Sequence, residues 1–131
     1  MTRLRRTEAS EADTLRTISD YLDLLQAQGK LVYIRHQPPM MTSKMLRGKM
    51  KVIFKKVRES QLGAPDLIVF KTSGVDRNGT WCDCTDVLCI EVKSPTGKLS
   101  PAQERWAGKA VAQGCQYIAA RSLEDVREAL K

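Results

Sequence analysis

Charge set inside two apolar, strand-forming runs is the feature that most constrains what this chain can build. "GAPDLIVF", Gly63 to Phe70, places Asp66 behind a proline at the mouth of a Leu-Ile-Val-Phe run. "CIEVKSPTG", starting at Cys89, carries Glu91 and Lys93 two positions apart in a second such run. The period of two along a strand puts both on one face. Buried charge is costly unless it is paired or binds a metal. Asp66, Glu91 and Lys93 therefore need either a structural ion pair or a chemical purpose.

The remaining sequence surrounds these two strands with helices. Leu15, Ile18, Leu22 and Leu25 recur at spacings of three and four, which predicts an amphipathic helix from about Ser10 to Gln28, capped by Ser10 and stopped by Gly29. "LVYIRH" reads as a strand ended by "QPPM". From Ser43 to Ser60 the apolar positions Leu46, Met50, Ile53 and Val57 again have helical spacing, despite Gly48, and the segment is crowded with Lys44, Arg47, Lys49, Lys51, Lys55, Lys56 and Arg58. "DLIVFKT" is a short buried strand, "SGVDRNGTWCDC" a hairpin-like connection with an Asn-Gly turn signal, and "VLCIEVK" the next strand. After "SPTGKL", Ser100 caps a helix with Pro101 at its first position and Gln103 completing a capping box. That helix ends before Gly114, "CQYIAA" is a last strand, and "SLEDVREALK" a terminal helix capped by Ser122. The expected fold class is α/β, a small mixed β-sheet flanked by helices, with residues 1–131 as a single domain.

Lys plus Arg number 22 against 15 Asp plus Glu, a formal charge of +7, which favours a polyanionic partner such as nucleic acid. No segment is long and apolar enough for a bilayer, and "MTRLRRTEAS" lacks the apolar stretch of a secretory signal. The expected location is inside the cell, in the cytoplasm or with the nucleoid, and no membrane partner is expected. Of the four cysteines, Cys82 and Cys84 form a C-x-C, but no second close pair or nearby histidine completes a zinc site, since His36 is the only one. Reduced, unliganded thiols are expected.

A nuclease that works with Mg²⁺ needs hard oxygen ligands converging on an open coordination position. Asp66 opens one strand and Glu91 comes late in the next, so antiparallel pairing would bring the two carboxylates together at one edge, with Lys93 projecting beside them. "GAPDLIVF" followed by "EVKSPTGKLSPAQ" resembles the PD-(D/E)xK nuclease superfamily and, more narrowly, is similar to the virus-type replication-repair nuclease (VRR-NUC) domain over about Glu11 to Ala120. The resemblance implies a restriction-endonuclease-like core in which Asp66, Glu91 and the backbone carbonyl of Val92 bind Mg²⁺ or Mn²⁺ and Lys93 is the catalytic lysine. It also implies a glutamate on the first helix near the metal, for which Glu11 fits, with Glu8 one turn further out. It matches Gln103 to a glutamine that steadies the metal water or a phosphate.

Each residue has a plainer alternative. Glu11 could serve only the helix dipole, Gln103 only the capping box, and Asp66, Glu91 and Lys93 a buried salt bridge. The basic segment could be a solvated helix face; otherwise Lys44, Arg47, Lys51, Lys55 and Lys56, together with Lys98 between "EVK" and "LSPAQ", hold phosphates by neutralising charge. The resulting expectation is a metal-dependent, structure-specific DNA endonuclease like a Holliday-junction resolvase, acting on branched DNA as a homodimer. The alternatives are a viral or mobile-element nuclease that nicks duplex or flap DNA, and a non-catalytic nucleic-acid-binding module with a vestigial site.

Overall fold

Ile18 and Leu22, four residues apart on one helical face, are fully buried and anchor the first helix to a sheet. The computed structural model describes residues 10–36, 42–46, 49–53, 62–76 and 78–131. Its elements are α1 (Glu11–Ala27), β1 (Val32–Arg35), β2 (Thr42–Leu46), β3 (Lys49–Ile53), β4 (Leu67–Val75), β5 (Trp81–Val92), α2 (Pro101–Ala112), β6 (Gln116–Ala120) and α3 (Leu123–Ala129). Ser10 caps α1 by accepting the Asp13 N–H at 3.2 Å, and the chain leaves it through Gly29 in the left-handed region at φ 72°.

β1, β4, β5 and β6 form one sheet in that order. The first two pairings are antiparallel, and β6 runs parallel to β5, which requires the crossover that α2 supplies. Side chains alternate across the sheet. Leu67, Val69, Leu88, Ile90, Val92 and Ala120 meet Ile18 and Leu22 of α1 and Val126 of α3 in one core. Cys89, Glu91 and Tyr117 point the other way, where α2 lies: Gln103 bonds to Glu91, and the Trp106 and Tyr117 rings sit 6.3 Å apart. With helices on both sides, every residue from Leu88 to Val92 is buried. Glu91 is thus a carboxylate in the fully covered last part of β5. Among the described residues no helix is long and apolar enough to cross a membrane.

Three expectations are corrected. The helix from Ser43 to Ser60 is not formed over its described part, where β2 and β3 pair antiparallel with Lys44 opposite Lys51 and Met45 opposite Met50. Leu46, Met50 and Ile53 satisfy helical spacing, but Lys49-Met50-Lys51-Val52 also alternates with a period of two, and Gly48 disfavours a helix interior. Arg47, Lys55, Lys56 and Arg58 lie outside the described residues.

The hairpin-like connection is also shorter than expected, because β4 extends to Val75 and β5 begins at Trp81. The turn is organised by Asp76, whose Oδ1 accepts the N–H groups of Asn78 and Thr80 at 2.8 and 2.9 Å, with Gly79 at φ 78°. Between the pairs Thr72–Thr85 and Gly74–Cys82 the register slips by one residue on β5, a β-bulge. At this bulge Cys82 and Cys84 lie with Cα atoms 5.3 Å apart and are joined as a disulfide rather than reduced. Cys89 and Cys115 are free thiols as expected, and burial, reinforced by Cys115, pushes the Cys89 thiol up to about 11.

Candidate active site

The register Leu67–Ile90 is the last pair between β4 and β5, and one step beyond it Asp66 stands opposite Glu91. Two hydrogen bonds fix Asp66 there. Its carbonyl accepts the N–H of His36 at 2.8 Å, and its Oδ2 accepts the N–H of Val92 at 2.8 Å. The aspartate that opens one strand therefore ties directly to the residue between Glu91 and Lys93.

Glu91 is 5% exposed. Its Oε1 accepts from Gln103 Nε2 at 2.8 Å and lies 3.8 Å from Lys93 Nζ, whereas its Oε2 is buried without any hydrogen-bond partner. A purely structural ion pair would satisfy both oxygens, because an orphaned buried polar atom costs about 1–3 kcal/mol. The salt-bridge alternative leaves that atom unexplained. Burial and then the neighbouring Asp66 push the Glu91 carboxyl up to about 7, against the opposing pull of Lys93. Burial also raises the Tyr117 hydroxyl, with Glu91 the next contributor.

Gln103 completes the expected capping box, and its side-chain amide reaches Glu91. Its Oε1 accepts the Ser100 N–H at 2.8 Å, and its backbone N–H donates to Ser100 Oγ at 3.2 Å, a complete capping box. The cap frees its amide nitrogen to reach Glu91. What seats the start of α2 over the strands is Gly63, at φ 83°. A Cβ at this position would come within 2.2 Å of the Ala102 carbonyl oxygen, so only glycine lets the loop before Asp66 pass so close to the helix. The two motifs "GAPD" and "LSPAQ" are thus pressed together by a contact between their backbones.

Glu11 is exposed at the first turn of α1, and its Oε1 accepts the Ser94 N–H at 3.1 Å, so the first helix does reach the residue after Lys93. Glu8 lies outside the described residues. Arg121 Nη1 also holds this turn, donating to the carbonyls of Ser94 and Gly97, both at 2.6 Å. Arg121 escapes a sequence reading because it lies 27 residues from Ser94 and belongs to no motif. Lys98 is exposed between this turn and α2. Lys44 and Lys51 are register partners on the separate β2–β3 pair.

The donors on hand are carboxylate and carbonyl oxygens from Asp66, Glu91 and Val92, the hard type that suits Mg²⁺ or Mn²⁺. The unpartnered Glu91 Oε2 fits such a ligand role. Among the described residues no three His, Cys, Asp or Glu side chains converge, so side chains alone make a sparse set.

A four-stranded mixed sheet between helices, with Asp, Glu and Lys at adjoining strand ends, defines an α/β domain with a restriction-endonuclease-like core. The chain belongs to the VRR-NUC family: the VRR-NUC domain matches residues 9–124, and this is a nuclease-type domain. No curated protein and no solved structure matches the chain at a significant level.

Proposed function

We propose that the protein is a divalent-metal-dependent endonuclease that hydrolyses phosphodiester bonds in branched DNA as a homodimer. The observation that carries the catalytic part is Glu91: a buried carboxylate held through one oxygen by Gln103 and Lys93, with the other left without a partner beside Asp66. In this reading Asp66, Glu91 and the Val92 carbonyl hold Mg²⁺ or Mn²⁺. Such a cation polarises a phosphate and lowers the pKa of its water.

The chain's own residues do the rest. Gln103 fixes Glu91 Oε1 so that the carboxylate keeps one orientation. Lys93 Nζ, largely shielded from solvent, orients the attacking water and offsets charge gathering on the phosphate oxygens. Glu11 and Arg121 both brace the turn after Lys93, one accepting the Ser94 N–H and the other donating to the Ser94 and Gly97 carbonyls. Lys44, Lys51 and Lys98, with Arg47, Lys55 and Lys56, bind the backbone by neutralising phosphates, which orients the duplex without reading bases.

Resolving a four-way junction takes two symmetric cuts, and the sequence holds one Asp66, Glu91, Lys93 set. Two copies related by a twofold axis meet that requirement. The test is a panel of labelled four-way junction, flap and duplex, incubated with and without Mn²⁺, alongside sedimentation at micromolar concentration. The expected result is Mn²⁺-dependent paired nicks on opposing junction strands and about twice the chain mass. A monomer that cuts flaps and leaves junctions intact would refute the junction reading and keep the nuclease one.

A further inference from the structure

Beside α2 lies a cleft of about 540 Å³, lined by Leu62, Ala102, Arg105, Trp106, Lys109 and Cys115 among others. That size falls in the range of pockets that enclose small ligands. Nothing in the catalytic arrangement uses it, yet it adjoins that arrangement at two points. Trp106 follows Gln103 by three residues, a rise of about 4.5 Å along the helix, and Leu62 and Ala102 flank the contact that Gly63 makes with α2.

The chemistry of the lining is selective. Trp106 supplies an aromatic wall, half-buried and backed by the tilted ring of Tyr117. Arg105 and Lys109 are exposed and four residues apart, so their like charges repel along one helical face. Among the described residues neither has a carboxylate partner. An aromatic surface with two uncompensated cations is complementary to a base and its phosphates.

We propose that this cleft is a nucleotide subsite, taking one unpaired nucleotide of the substrate beside the bond to be cut, with the base against Trp106 and the phosphate oxygens on Arg105 and Lys109. The proposal rests on the nuclease reading and refines it: the enzyme recognises branched DNA by the unstacked nucleotide that a branch provides. A fully paired duplex keeps its bases stacked and cannot fill the cleft. Phosphate contacts elsewhere are common to both kinds of substrate, so discrimination falls to these residues.

The test compares a blunt duplex with the same duplex bearing a short unpaired tail, both labelled, by fluorescence anisotropy in EDTA so that neither is cut. The wild type should bind the tailed probe about tenfold more tightly, the size that one base–aromatic stack commonly contributes. Trp106→Leu and the double variant R105Q/K109Q should shrink the difference to under about twofold. Because Trp106 also packs on Tyr117, the exposed pair carries the decision. No preference in the wild type, a preference that survives in R105Q/K109Q, or equal weakening of both probes would overturn the subsite. Cleavage with Mn²⁺ separates the two claims: cutting with an unaffected preference sinks only the subsite, whereas a preference lost in R105Q/K109Q without any cutting sinks only the nuclease reading.

Discussion

Asp66→Asn, Glu91→Gln and Lys93→Ala should each lower the single-turnover cleavage rate by about 10²-fold or more, the usual loss when a group acting on the transition state is removed. Glu91→Gln is the sharpest of the three. It preserves the shape of a side chain that is 5% exposed and keeps an amide oxygen available to Gln103 Nε2, so the strand should stay in place. What it removes is the charge. Binding to DNA, measured by anisotropy in parallel, should persist, because none of these three residues is among the lysines proposed to neutralise phosphates. Cleavage at the wild-type rate in any of the three variants would exclude that residue from the chemistry.

The second large effect is on stability. The Glu91 carboxyl moves from an ordinary 4.5 to about 7 on folding, so between these values the folded chain binds more protons than the unfolded one. Glu91's contribution to the stability of the metal-free protein should therefore fall as pH rises from about 4.5 to 7, and that loss should be fully present above the window. The shift corresponds to about 3 kcal/mol. Glu91→Gln cannot ionise and should lack this component, so the wild type should lose stability relative to the variant on going from pH 5 to pH 8. A divalent cation bound only by the folded state should return about 2.7 kcal/mol to the wild type at a hundredfold excess over its Kd. Thermal melts of both proteins across this range check the sign. Parallel profiles would mean that Glu91 is not ionised against a penalty.

The candidate site is legible in the sequence where chemistry interrupts a local pattern. Asp66, Glu91 and Lys93 stand out because charge is out of place in apolar strands, and antiparallel pairing of those strands brings Asp66 opposite Glu91 as their order suggests. Ser100 and Gln103 are legible because a capping box is a local code. Contacts between distant backbones leave no such trace. Nothing in "GAPD" announces that Gly63 presses on Ala102, and nothing near Arg121 announces that it grips Ser94 and Gly97.

The errors have the same physical origin. Between Thr42 and Ile53 the apolar residues fit a helix and a strand pair alike, so spacing alone could not choose between them. The expectation of reduced thiols at Cys82 and Cys84 follows from compartment rather than geometry, and the bulge that draws the two together depends on β4, not on their own neighbours. The helices α1, α2 and α3 carried both a cap signal and a buried face, and all three form where expected.

The central claim is that Asp66 and Glu91 together hold a divalent cation. Calorimetric titration of Mn²⁺ into the purified protein at pH 8 measures this without any substrate. The wild type should give a saturable heat, and Asp66→Asn and Glu91→Gln should each remove it while retaining the wild-type circular dichroism. The same binding heat in the wild type and in both variants would contradict the claim.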